Sequence, residues 1–122
     1  MLVAEDDDLV RKLVVRVLAR AGYSVVGVAT ASEAARLAHE APRSIDLLLT
    51  DVVLPDLRGP ELFEAVRHSQ PDARVIFMSG YPEEVAERAP GTPLPGPFLR
   101  KPFDPPELVR TIGDVLAREP TG

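Results

Sequence analysis

Four places in this 122-residue chain put chemically able side chains where an apolar run ends. Glu5, Asp6, Asp7 and Asp8 follow Leu2-Val3-Ala4, Asp51 follows Leu47-Leu48-Leu49-Thr50, Ser79 follows Arg74 to Met78, and Lys101 follows Phe98-Leu99-Arg100. Crowded carboxylates repel one another unless a cation lies among them, and oxygen-only donors suit a hard divalent ion. Asp51 adds a carboxylate able to act as a nucleophile, while a hydroxyl and an ammonium are groups that hold phosphoryl oxygens. The chemistry indicated is acceptance of a phosphoryl group by Asp51, with the early acids around a metal and Ser79 and Lys101 steadying the transferred group. Capping of the next helix by one acid and a solvated acidic face are the plain alternatives for the 5–8 run taken alone.

Such a site needs a scaffold that brings distant strand ends together. The run before Asp51 is bounded by Asp46 on one side and by Pro55 and Gly59 on the other, so it reads as a buried parallel strand, and ligands gather beyond the carboxyl ends of such strands. Leu2-Val3-Ala4 reads as the first strand. From Leu9, apolar residues recur at 9, 10, 13, 14, 17 and 18, one face of a helix, with Lys12, Arg16 and Arg20 opposite and Gly22 ending it. Ser24 to Ala29 reads as the second strand, and Thr30-Ala-Ser-Glu33 as a capping box opening a helix to about Glu40. After Gly59-Pro60 a helix with Leu62, Phe63 and Val66 inward runs to His68 or Ser69. Arg74 to Met78 is the fourth strand. A short helix over 82–88 and a loop from Pro90 to Pro97, expected to be mobile, lead to a fifth strand, Phe98 to Arg100. Asp104-Pro-Pro-Glu107 caps a last helix with Leu108, Ile112, Val115 and Leu116 inward. Neither His39 nor His68 has partners at metal-ligand spacing, and neither is given a role. Alternation of five strands with five helices predicts an α/β fold, a doubly wound five-stranded parallel sheet with helices on both faces.

The composition narrows the function classes. A formal net charge of -5 argues against a nucleic-acid surface, which needs clustered Lys and Arg. No apolar run approaches the roughly 20 residues of a membrane span, and no secretory signal pattern is present, so no membrane contact by this domain is expected. Absence of cysteine rules out disulfides and thiolate metal sites and fits a reducing compartment, so a cytoplasmic location is expected.

Taken together, these motifs resemble the receiver domains of two-component response regulators over nearly the whole chain, which reads as a receiver over 1–119 with a tail of 120–122. The resemblance implies a flavodoxin-like sheet of order 2-1-3-4-5. It implies that Glu5 and Asp6 are the paired acids, with Asp6 a direct Mg²⁺ ligand, and that Asp51 and the backbone carbonyl of Val53 complete the metal site. Asp51 matches the phosphorylated aspartate, Pro55 and Gly59 its following loop, and Ser79 the hydroxyl residue that follows the phosphoryl group. Lys101 matches the site lysine, with Pro102 as the proline after a cis bond. Phe98 falls at the aromatic switch position, so Ser79 and Phe98 are implied to move together on phosphorylation.

The wording of Met78-Ser-Gly-Tyr81 and Phe98-Leu-Arg-Lys-Pro-Phe103 looks most like receivers attached to hybrid sensor histidine kinases. The implied partner is a histidine kinase or a histidine phosphotransfer domain, met on the first helix through Leu9, Val10, Lys12 and Leu13 to Arg16 as its exposed or half-exposed residues. No enzymatic activity is implied beyond Mg²⁺-dependent self-phosphorylation and self-dephosphorylation, in a chain read as stand-alone or excised from a larger kinase. Val53 and Tyr81 flank the line of attack on phosphorus and offer nothing to orient water, so a long-lived phosphoryl group is expected. The alternative is a degenerate receiver that binds a partner without phosphorylation. A haloacid-dehalogenase-like phosphatase would need a second Asp where Val53 stands, and a nucleotide binder would need a Gly-rich loop where the acids stand.

Overall fold

The computed structural model describes residues 1–41, 44–80 and 94–118. Five strands, β1 (Leu2–Ala4), β2 (Val26–Val28), β3 (Leu47–Asp51), β4 (Arg74–Ser79) and β5 (Phe98–Arg100), pair in parallel in the order β2-β1-β3-β4-β5. The described helices are α1 (Asp8–Arg20), α2 (Ala31–Glu40), α3 (Gly59–Ser69) and α4 (Pro105–Leu116). The expected helix over 82–88, Tyr81 and the first half of the Pro90–Pro97 loop lie outside the described residues, as does the tail.

Strand alternation sets the layers, because successive side chains leave opposite faces of a sheet. Leu2, Ala4, Leu48, Val75 and Phe77 pack with Ala31, Ala34 and Ala38 of α2 and Leu62, Phe63 and Val66 of α3. Val3, Leu47, Leu49, Ile76 and Met78 pack with Val14 and Leu18 of α1 and Leu108, Ile112 and Val115 of α4. Both faces of the sheet are therefore cores. The central strand β3 is buried throughout, and each Leu-sized side chain buried there contributes about 1.5–3 kcal/mol.

The caps fall where the sequence indicates. Thr30 accepts the Glu33 N–H at 3.2 Å, Asp104 accepts the Glu107 N–H at 2.8 Å, and Gly22 takes φ +99° beyond α1. One element differs from the sequence reading. β2 covers Val26–Val28 and not Ser24–Ala29, because it is an edge strand whose one neighbour, β1, is itself three residues long. In α1, Val14 and Leu18 are buried, while Leu9 is 81% and Leu13 50% exposed, in keeping with their reading as exposed or half-exposed residues of the first helix. The buried stripe packs with Val3, Leu47 and Leu49, and beside it Gly27 of β2 admits α1 so closely that a Cβ there would lie 2.9 Å from Val15 Cγ2. That packing leaves Leu9 and Leu13 facing outward.

β1 begins in the middle of the sheet; the chain then goes to β2 on one side and returns to β3 on the other. The crevice of a doubly wound sheet opens at this reversal, beyond the carboxyl ends of β1 and β3.

Candidate functional site

Glu5 follows β1 directly and is fully buried, its N–H on the Val28 carbonyl at 3.0 Å. Asp51 closes β3 at 5% exposure and Ser79 closes β4 at 2%. Lys101 follows β5, its N–H donating to the Ser79 carbonyl at 2.9 Å, and the Lys101–Pro102 bond is cis. The Lys101 ammonium bridges two strand ends: Nζ donates to Glu5 Oε1 and, at 2.6 Å, to Asp51 Oδ1. The four residues that the sequence placed at separate strand ends thus meet in one cleft, together with Asp6 and Val53.

The acidic run divides its work. Asp7 is the N-cap of α1, accepting the N–H groups of Leu9 at 2.9 Å and Val10 at 3.1 Å, which satisfies donors that a helix start leaves open. Asp8 pairs with Arg11 at 2.5 Å, and Arg11 also donates to the Glu5 carbonyl at 3.0 Å. Glu5 and Asp6 remain, one turned inward and one exposed. Oxygens of Glu5, Asp6 and Asp51 lie within 4.8 Å of one another, a spacing that one cation can bridge. Three carboxylates and no nitrogen or sulfur donor fit Mg²⁺ by donor chemistry. Val53 is 37% exposed at the same cleft.

The loop after Asp51 is drawn tightly over the strand end. Gly59 N–H donates to the Val52 carbonyl at 2.7 Å, and a Cβ on Gly59 would sit 2.3 Å from the Asp51 carbonyl oxygen. Only glycine permits that approach. Phe98 stands on the edge strand β5 at 38% exposure, opposite Phe77 in register. Asp56, given no role by its sequence, accepts two backbone N–H groups of α2, from Ala31 at 3.0 Å and Ser32 at 2.9 Å, and these bonds hold its carboxyl below the ordinary value. A partner 25 positions away leaves no local signal that sequence reasoning could have found.

The electrostatics divide the two buried acids. Burial, then the hydrogen bond and negative charge of Glu5, push Asp51 up to about 9 against the pull of Lys101. Burial also works to raise Glu5, but hydrogen bonds with Asp51, Lys101 and the Asp7 N–H outweigh it and leave Glu5 below its ordinary value. Lys101, opposed by burial but held by both acids, is raised. The two buried acids thus share a single ammonium, and of the two it is Asp51 whose anion burial and the charge of Glu5 disfavour.

The response regulator receiver domain family matches residues 1–113. The sensor kinase CckA of Brucella abortus (strain 2308) is 35% identical over 98% of this chain, which spans 13% of that kinase. The response regulator receiver protein CpdR of the same organism is 34% identical, with 95% of each chain covered. The crystal structure of the receiver domain from the hybrid histidine kinase CckA superposes with a TM-score of 0.79 at 35% identity, covering 94% of this chain and 96% of that one. The chemotaxis response regulator CheY4 of Vibrio cholerae gives 0.77 at 26% identity, covering 93% of this chain and 95% of that one. Among the described residues no helix is long and apolar enough to cross a membrane.

Proposed function

Since the chain belongs to the response regulator receiver family of two-component signalling, we propose that it takes a phosphoryl group from a phosphohistidine onto Asp51. The observation that carries this reading is the bridge of Lys101 Nζ between Glu5 and Asp51, with an Asp6 oxygen close enough to share a cation with both. Glu5, Asp6, Asp51 and the Val53 carbonyl would hold Mg²⁺. When bound, that ion supplies positive charge against the oxygens of the incoming group.

In transfer, an Asp51 carboxylate oxygen forms the new bond to phosphorus as the bond to the donor nitrogen breaks, and the electron pair leaves with the imidazole. Lys101, already on Asp51 Oδ1, offers a fixed ammonium beside the developing charge. Ser79 brings its hydroxyl from the neighbouring strand end. The donor would be a histidine kinase or a histidine phosphotransfer domain. Leu13, exposed at the edge of the cleft, and Leu9, exposed on the same helix, support α1 as the docking face. Incubation with Mg²⁺ and a small phosphodonor, followed by intact mass, tests the reading; a chain that never gains one phosphoryl group refutes it.

Mg²⁺ should stabilise the fold, because it relieves repulsion within the cleft. At about ten times its Kd the gain is about 1.4 kcal/mol, a few degrees in Tm for a domain this size. Asp6→Ala should remove most of that gain and leave the metal-free Tm within about a degree, since Asp6 is exposed and makes no part of the core. A Tm that ignores millimolar Mg²⁺ would count against the metal site.

Ser79 and Phe98 supply the proposed switch. Phosphorylation draws the Ser79 side chain toward the phosphoryl group, and Phe98, now 38% exposed on an edge strand, turns inward to the space released. Phe98 ring signals should shift by NMR when beryllofluoride, a stand-in for the phosphoryl group, is added with Mg²⁺. Unchanged ring environments would refute the switch.

A further inference from the structure

The turn that carries Val53 closes on itself by backbone bonds, and its Val52 N–H donates to the Met78 carbonyl of β4 at 2.9 Å. Val53 and Arg58 form an antiparallel bridge, the Leu54 N–H donates to the Leu57 carbonyl at 3.1 Å, and Gly59 returns to Val52. These bonds, with Val52 and Leu54 buried in the core, fix the base of the turn, and its exposed tip is Pro55-Asp56-Leu57. At the tip, Asp56 reaches to another element: its Oδ1 takes the Ala31 N–H and its Oδ2 the Ser32 N–H, the first donors of α2. The helix so gripped is itself immobilised, with Ala31, Ala34 and Ala38 packed into the core. Thr30 serves the next donor, Glu33 N–H, from within α2's own cap.

We infer that Asp56 is a positioning residue for the metal site, clamping the tip of the 52–59 turn to the N-terminus of α2 and so fixing the Val53 carbonyl at the cleft. The inference rests on the reading of that carbonyl as a metal ligand. A donor atom whose support is loosened binds its ion less well, and losing such outer support costs about tenfold or more in metal affinity. Coupling runs both ways, so a cation on Val53 is felt at the Ala31 and Ser32 amides.

The comparison is Mg²⁺ affinity by calorimetry, with amide shifts by NMR, for wild type, Asp56→Ala, Asp56→Asn, Thr30→Ala and Asp6→Ala. Asp56→Ala should weaken Mg²⁺ binding about tenfold and silence the Mg²⁺ response at Ala31 and Ser32. Asp56→Asn keeps the volume and one acceptor oxygen, and should fall between, which also covers an alanine variant that folds poorly. Thr30→Ala weakens the same helix start without touching the turn, so its Tm should fall while its Mg²⁺ affinity stays that of wild type. Unchanged affinity in both Asp56 variants, or an equal loss in Thr30→Ala, would overturn the clamp while Asp6→Ala still lost binding. Failure of wild type to bind, or of Asp6→Ala to weaken binding, would bring down the metal reading and the clamp with it.

Discussion

Asp51→Asn should abolish phosphorylation outright and yet yield a protein at least as stable as wild type. The amide keeps the shape of the side chain at the end of β3 but has no anionic oxygen to attack phosphorus, so no phosphoryl increment should appear in intact mass. Its stability advantage should depend on pH in a definite direction. In the metal-free fold Asp51 is raised to about 9, against about 4 in an unfolded chain. A group raised on folding contributes stability that is complete below the unfolded value and is lost as pH climbs through the folded one. Wild type in EDTA should therefore lose stability, relative to the Asn variant, between about pH 4 and pH 9. Asparagine forgoes the ionic contact with Lys101, so the difference should reach only about 1–2 kcal/mol at pH 8. Thermal melts of the two proteins across that range check it: curves that stay parallel, or a wild type that gains on the variant as pH rises, would show that Asp51 is not the strained acid of the pair. A phosphoryl group on the Asn protein would show that Asp51 is not the acceptor.

The strand ends were legible in the sequence because each is marked twice, by an apolar run and by a reactive side chain at its close. Glu5, Asp51, Ser79 and Lys101 could be named before any geometry, and parallel strand topology accounts for their meeting in one cleft. What could not be read is how the acids divide. A run of four carboxylates has no internal sign that Glu5 turns inward beneath Lys101, Asp7 caps α1, and Asp8 holds Arg11; those depend on the Lys101 ammonium 96 positions away and on where α1 begins. Periodicity gave α1, whose six apolar residues span more than the sheet can cover, so that Val14 and Leu18 are buried while Leu9 and Leu13 face outward. The Asp56 clamp to α2 was invisible for the same reason as the Lys101 bridge: both are contacts between segments with no local pattern in common.

Lys101→Met should produce the largest loss of stability of any single change at the site. Lys101 is the ammonium between Glu5, whose side chain is fully buried, and Asp51, whose side chain is 7% exposed. Methionine fills much of the same volume and keeps the apolar stem, so what is removed is charge and donor capacity. Removing one partner of a buried ionic group costs about 3–5 kcal/mol, because the charge left behind remains desolvated. Here Asp51 can escape part of that cost by holding its proton, so a loss of about 2–3 kcal/mol is expected at pH 7 without metal. The sign with pH follows from that escape: without the ammonium Asp51 is raised further and Glu5 loses a partner that lowers it, so the deficit should grow as pH rises above about 5. Mg²⁺ should then recover more stability in the variant than in wild type, since the ion meets two carboxylates that no ammonium shares. Phosphorylation should still be slowed about a hundredfold or more, because a cation among the acids does not replace a donor aimed from β5. Melts in EDTA and in Mg²⁺ at pH 5 and 8, with the phosphorylation rate alongside, separate these effects. A variant as stable as wild type in EDTA at pH 8 would mean that the acids do not depend on Lys101 for neutralisation, and a rate equal to wild type would remove the lysine from the proposed chemistry.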